Sequence, residues 1–102
     1  MKHKFQEDTG YLLIHMPREV DHHTSLQLRE EADFLLRRYP VRGIVFDFQE
    51  TVFMDSSGIG VILGRCRNVS LAGGQALAVH LNEQVKKIFC MSGLQKVISI
   101  EA

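Results

Sequence analysis

A chain of 102 residues, 45% apolar and 24% charged, is long enough to bury a core without metal or disulfide staples, so a disordered or staple-dependent class is excluded. Twelve basic and twelve acidic side chains cancel, leaving no excess of charge to grip a nucleic-acid backbone or an anionic membrane. No apolar run approaches the ~20 residues of a membrane span, and the first residues lack the apolar core of a signal peptide.

In chain order, Lys4–Gln6 and Tyr11–Met16 form extended segments separated by Glu7-Asp8-Thr9-Gly10, whose turn chemistry predicts an antiparallel hairpin. Consecutive apolar residues at Tyr11-Leu12-Leu13-Ile14 predict a strand covered on both faces. From Asp21 the period changes. Leu28, Ala32, Leu35, Leu36 and Tyr39 share one helical face. Asp21 can cap this helix, Thr24 with Gln27 offers a second capping choice, and Pro40 stops it. Gly43–Phe48 is a buried strand by its β-branched and aromatic content.

After Asp55-Ser56-Ser57-Gly58 comes a second helix with Ile59, Ile62, Leu63, Cys66 and Val69 on its apolar face and Arg65, Arg67 and Asn68 elsewhere. Ala72-Gly73-Gly74 ends it, and Gln75–Val79 is a short strand. Asn82 caps a third helix with an apolar face of Val85, Ile88 and Phe89. Ser92-Gly93 stops that helix, and Val97-Ile98-Ser99-Ile100 forms a last strand. Cys66 and Cys90 lie in apolar stretches and form no Cys-x-x-Cys pair, which predicts reduced, buried thiols in a cytoplasmic protein.

The order strand, helix, strand, helix, strand predicts an α/β fold in one domain over residues 1–102. Its sheet is mixed but mostly parallel, with an N-terminal antiparallel hairpin and helices packed on it. The segment from Phe48 to Ser57 leaves the carboxyl end of a strand, where such sheets place their sites.

Two serines behind an acid at a helix start suit three roles: a cap, an anion site, or a serine that itself carries a phosphate. One hydroxyl is enough for a cap. Gly58 and Gly60 thin the surface and would leave a hydroxyl open to a large partner. A catalytic serine needs the Gly-x-Ser-x-Gly elbow, which neither Ser56 nor Ser57 has. Gly58-Ile59-Gly60-Val61-Ile62-Leu63-Gly64 falls one residue off a dinucleotide fingerprint, and no acid follows at the ribose-binding distance. A small nucleotide-binding or hydrolytic protein built on the Ser57/Gly58 helix end is the alternative function. Asp21-His22-His23 lacks the further ligands a metal requires, and no cofactor is called for.

Val52 to Arg65 resembles the signature of the bacterial anti-sigma factor antagonists, a STAS-domain family. Val20-Asp21-His22-His23-Thr24 is similar to the family's first-helix loop. Val85-Lys86-Lys87-Ile88-Phe89 with Met91-Ser92-Gly93-Leu94 is similar to its last helix and stop. Arg18 stands where relatives often carry glycine.

The resemblance implies a STAS-type fold and a non-enzymatic antagonist that binds an anti-sigma factor serine kinase, so that a sigma factor is released and sporulation transcription starts. It implies phosphorylation of Ser57 by that kinase, reversal by a PP2C-type phosphatase, and only indirect contact with the sigma factor. Asp21, His22, Asp55, Ser56 and Gly58 then fall on the partner-binding surface, with neither nucleic acid nor membrane among the partners.

Overall fold

The pattern of short apolar strands alternating with amphipathic helices builds one open sheet and one layer of helices in the computed structural model, which describes residues 3–101. In order the elements are β1 (Lys4–Gln6), β2 (Tyr11–His15), β3 (Glu19–Val20), α1 (His22–Arg38), β4 (Gly43–Asp47), β5 (Phe53–Met54), α2 (Ser56–Leu71), β6 (Gln75–Val79), α3 (Glu83–Met91), a 3-10 turn (Leu94–Lys96) and β7 (Ser99–Glu101). The main sheet runs β1-β2-β4-β6-β7. Only the β1–β2 pair is antiparallel.

Each parallel connection steps one strand further in the same direction. Right-handed crossovers therefore lay the helices on one face of the sheet. On that face the register aligns Leu12, Ile44 and Ala76 in one row and Ile14, Phe46 and Ala78 in the next, all buried. The opposite face carries Leu13, Val45 and Leu77, which are only half-buried. The expectation that Tyr11–Ile14 is covered on both faces is thus corrected. With every crossover on one side, nothing in the described chain is left to cover the other.

Helix boundaries follow their local chemistry. Asp21 caps α1 by accepting the Thr24 N–H, while Thr24 Oγ1 accepts the Asp21 N–H, so Thr24 is the third-position half of the Asp21 box and not a cap paired with Gln27. Asn82 caps α3 by accepting the Val85 N–H at 2.8 Å, and Gly93 takes the left-handed conformation just beyond its end. Phe89 of α3 meets Phe48 edge to face at 5.8 Å, pinning the third helix to the core.

Two expectations shift here. The last strand begins at Ser99 and not at Val97, because the Val97 and Ile98 N–H groups donate to Leu94 O in the turn before it. Cys90 is exposed. It follows Phe89, and one residue is a 100° step around a helix whose buried side is held by Val85 and Phe89. Cys66 is buried as expected, and burial pushes its thiol up to about 12.

Candidate functional site

Two residues of strand, too short to announce themselves, organise the site. β3 and β5 pair in parallel outside the main sheet, with Glu19 opposite Phe53 and Val20 opposite Met54. The next residue on each strand is a helix cap, Asp21 for α1 and Asp55 for α2. Strands in register stand about 4.8 Å apart, so the ladder sets both helix N-termini side by side at one level. The Asp55 N–H donates to Val20 O at 3.0 Å and the Val52 N–H to Arg18 O at 2.8 Å. Arg18 contributes through its backbone carbonyl. Its φ is negative, so a non-glycine residue sits there without strain.

Asp55 decides what the serines do. Its Oδ1 accepts the Ser57 N–H at 2.8 Å and the Gly58 N–H at 3.4 Å, which makes the acid, not a serine, the cap of α2. Neither serine hydroxyl is taken up by a hydrogen bond among the described residues. Ser56 is exposed and Ser57 half-exposed. The same cap weakens the nucleotide alternative. A phosphate cradle at this helix end would need the two N–H groups the carboxylate already holds, and would approach its negative charge.

The two nearby glycines divide the work. Gly58 is buried, and a Cβ there would stand 2.5 Å from Val20 Cγ1 and 2.8 Å from Met54 Cγ. It does not thin the outer surface, as the sequence suggested. It lets the first turn of α2 seat on the β3–β5 ladder. Gly60 is exposed, and a Cβ there would meet nothing within 4 Å.

Between the N-terminal halves of α1 and α2 runs a groove of about 400 Å³, lined by His22, Ser25, Arg29, Ser57, Gly60 and Arg65 with Leu26 and Val61. His22 and Ser57 thus share one depression, and Asp21 and Asp55 cap its two helices. Arg65 corrects another expectation. It lies off the apolar stripe in sequence, yet it is only 8% exposed, with Nε 3.1 Å from Asp33 Oδ1 of α1. That contact lacks hydrogen-bond alignment, and Nε and Nη1 of Arg65 and Oγ of the buried Ser25 have no hydrogen-bond partner. Asp33 also reaches Arg29 Nε at 3.9 Å, so one carboxylate serves two guanidiniums.

The STAS domain family model matches residues 2–102. The chain belongs to the STAS-domain family. Among curated relatives, this STAS domain is 36% identical over 97 residues to the anti-sigma F factor antagonist of Paenibacillus polymyxa, covering 95% of this chain and 83% of that one. Among solved structures it resembles the anti-sigma factor antagonist SpoIIAA in its unphosphorylated form, with a TM-score of 0.81 and 29% identity over 98% of this chain and 88% of that one. The Bacillus cell fate determinant SpoIIAA in its phosphorylated form is also similar. Its TM-score is 0.72 at 28% identity, over 98% of this chain and 91% of that one.

The mixed sheet with its β1–β2 hairpin is the STAS fold. Sequence reading missed Ser25 and Arg65 in this domain, since each looks like an ordinary helix-surface residue. It also missed the exposure of Val52 and Phe53 beside the Asp55 cap. A buried polar position was the signal, and only the packing of α1 on α2 reveals it.

Proposed function

We propose that this STAS domain is an anti-sigma factor antagonist whose binding to an anti-sigma factor serine kinase is switched by phosphorylation of Ser57. The observation that carries the proposal is the cap. Asp55 takes up the Ser57 and Gly58 N–H groups and leaves the Ser57 hydroxyl unbonded in the α1–α2 groove that His22 also lines.

In the unmodified state the kinase docks over Asp21, His22, Asp55 and Ser56 and lets its sigma factor go, so that sporulation transcription starts. Gly58 contributes by seating the helix. The kinase then transfers the γ-phosphoryl group of ATP. The Ser57 Oγ–P bond forms as the bond from the γ-phosphorus to the bridging oxygen of ADP breaks, and the hydroxyl proton passes to a base on the kinase. The product carries about −1.5 to −2 charges where a neutral hydroxyl stood, and a partner surface that closes over the small hydroxyl meets bulk, altered charge and desolvation together. A PP2C-type phosphatase hydrolyses the ester and restores binding, while the sigma factor itself never touches this chain.

The test is incubation with an anti-sigma factor serine kinase of the same genome and ATP, followed by intact-mass measurement. One phosphate on the unmodified chain and on Ser56→Ala, with none on Ser57→Ala, supports the proposal. Phosphate on Ser57→Ala, or nucleotide turnover by the chain alone, overturns it.

A further inference from the structure

We infer that the groove between α1 and α2 is the seat of the phosphoryl group on Ser57, held in cis by the Arg65 and Arg29 guanidiniums and the Ser25 hydroxyl. The inference rests on Ser57 being the modified residue and adds where the dianion goes. Asp55 occupies the Ser57 and Gly58 N–H groups, so those two donors are closed to the new charge and the carboxylate repels it. The ester turns away from that carboxylate. The groove it turns into is lined by two guanidiniums, an imidazole and two hydroxyls, and by no carboxylate.

Two of those groups are built for an anion. Ser25 is 3% exposed and Arg65 8% exposed, and both carry buried polar atoms with no hydrogen-bond partner. A buried guanidinium with unused N–H donors is costly unless a negative group completes it. Asp33 compensates only one of the two positive charges it touches. Arg65 lies eight residues beyond Ser57, about 12 Å along the axis and roughly 80° around it. Arg65 lines the same groove as Ser57, with its Nε beside Asp33 of the facing helix. Arg29 lies one turn beyond Ser25 on the facing helix. The titratable and charged groups around the seat are therefore His22, Arg29 and Asp33 from α1, Arg65 from α2, and the two caps Asp21 and Asp55.

A phosphoryl group seated there ties α1 to α2 and fills the depression that His22 and Ser57 otherwise present. The modification then conceals the docking surface as well as charging it.

The test installs phosphoserine genetically at position 57 of the full chain and follows its titration by 31P NMR. A seated dianion titrates about one unit or more below the ordinary second phosphate value near 6, because two guanidiniums favour the dianion. Arg29→Gln and Ser25→Ala, and Arg65→Lys where it folds, each move it back upward, while phosphoserine placed at 56 titrates near 6. A phosphoserine 57 that titrates like phosphoserine 56 and ignores Arg29→Gln and Ser25→Ala overturns the seat. A kinase that modifies only Ser56 defeats the Ser57 assignment instead. That result comes from a separate reaction, so the two failures are distinguishable.

Discussion

The first turn of α2 has two sides with opposite demands. Its back, at Gly58, is pressed against Val20 and Met54 so closely that one added carbon has no room. Its front, at Ser57 and Gly60, opens into the groove facing α1, where an added carbon at Gly60 would touch nothing. The back fixes the height and angle of the helix, and the front presents chemistry at that height. A docking surface gated by one hydroxyl beneath it works only if that hydroxyl stands at a fixed place relative to the surface. The rigid back, locked through the β3–β5 ladder, supplies that fixed place.

The largest effect that separates the two sides belongs to Gly58. Gly58→Ala drives a Cβ into the stiff, fully buried Val20, and overpacking outweighs the gain in helix propensity, for a net loss of about 2 kcal/mol. Chemical denaturation measures it. An unchanged midpoint would mean that the back of the turn yields. Asp55→Ala removes the acceptor of two N–H groups and is expected to cost about 1 kcal/mol in the same assay. It also frees the helix end, so weak binding of inorganic phosphate by the variant but not by the unmodified chain would show that the carboxylate blocks the alternative site.

Gly60→Ala goes the other way. It should stabilise the fold by up to about 1 kcal/mol, since glycine is the poorer helix former and the space is open. If the groove is a contact surface, the same variant binds the kinase less well while being more stable. A destabilised Gly60→Ala would erase the contrast between the two sides.

The smallest effect is that of pH. At Asp47 burial acts to raise the carboxyl, but the His80 hydrogen bond, the Gln49 N–H and the charges of His80 and His15 outweigh it and hold it below the ordinary value of 3.8. At Asp21 the N–H and hydroxyl of Thr24 do the same. A carboxyl depressed in the folded state adds stability that is whole above the unfolded value and is lost as pH falls through the folded one. Asp47→Asn should therefore flatten the acid limb of a stability-against-pH curve below about pH 4. An acid limb of unchanged slope would show that Asp47 does not contribute.

Much of this was written in the chain. The hairpin turn at residues 7–10, the Pro40 stop, the Asn82 cap and the Gly93 stop each depend on neighbours within a few positions, so local chemistry suffices. The site motif was also visible, but its internal division was not. Asp55, Ser56 and Ser57 are all good caps, and only the backbone path after β5 selects the acid. Gly58 and Gly60 are identical letters whose difference comes from Val20, nearly forty positions away in sequence. The β3–β5 ladder is two residues long and has no period to detect. Arg65 looked solvated because the acid that draws it inward sits on another helix. Contacts between distant segments were the illegible part, and they are what sets His22 and Ser57 on one groove.

The central claim is that one hydroxyl at the groove controls association, and a titration of the kinase partner with three forms of the chain tests it most directly. The account predicts that the unmodified chain and Ser57→Ala bind with the same affinity, while the form phosphorylated on Ser57 binds at least about tenfold more weakly, a loss of roughly 1.4 kcal/mol. Equal affinity of the phosphorylated and unmodified forms would contradict it.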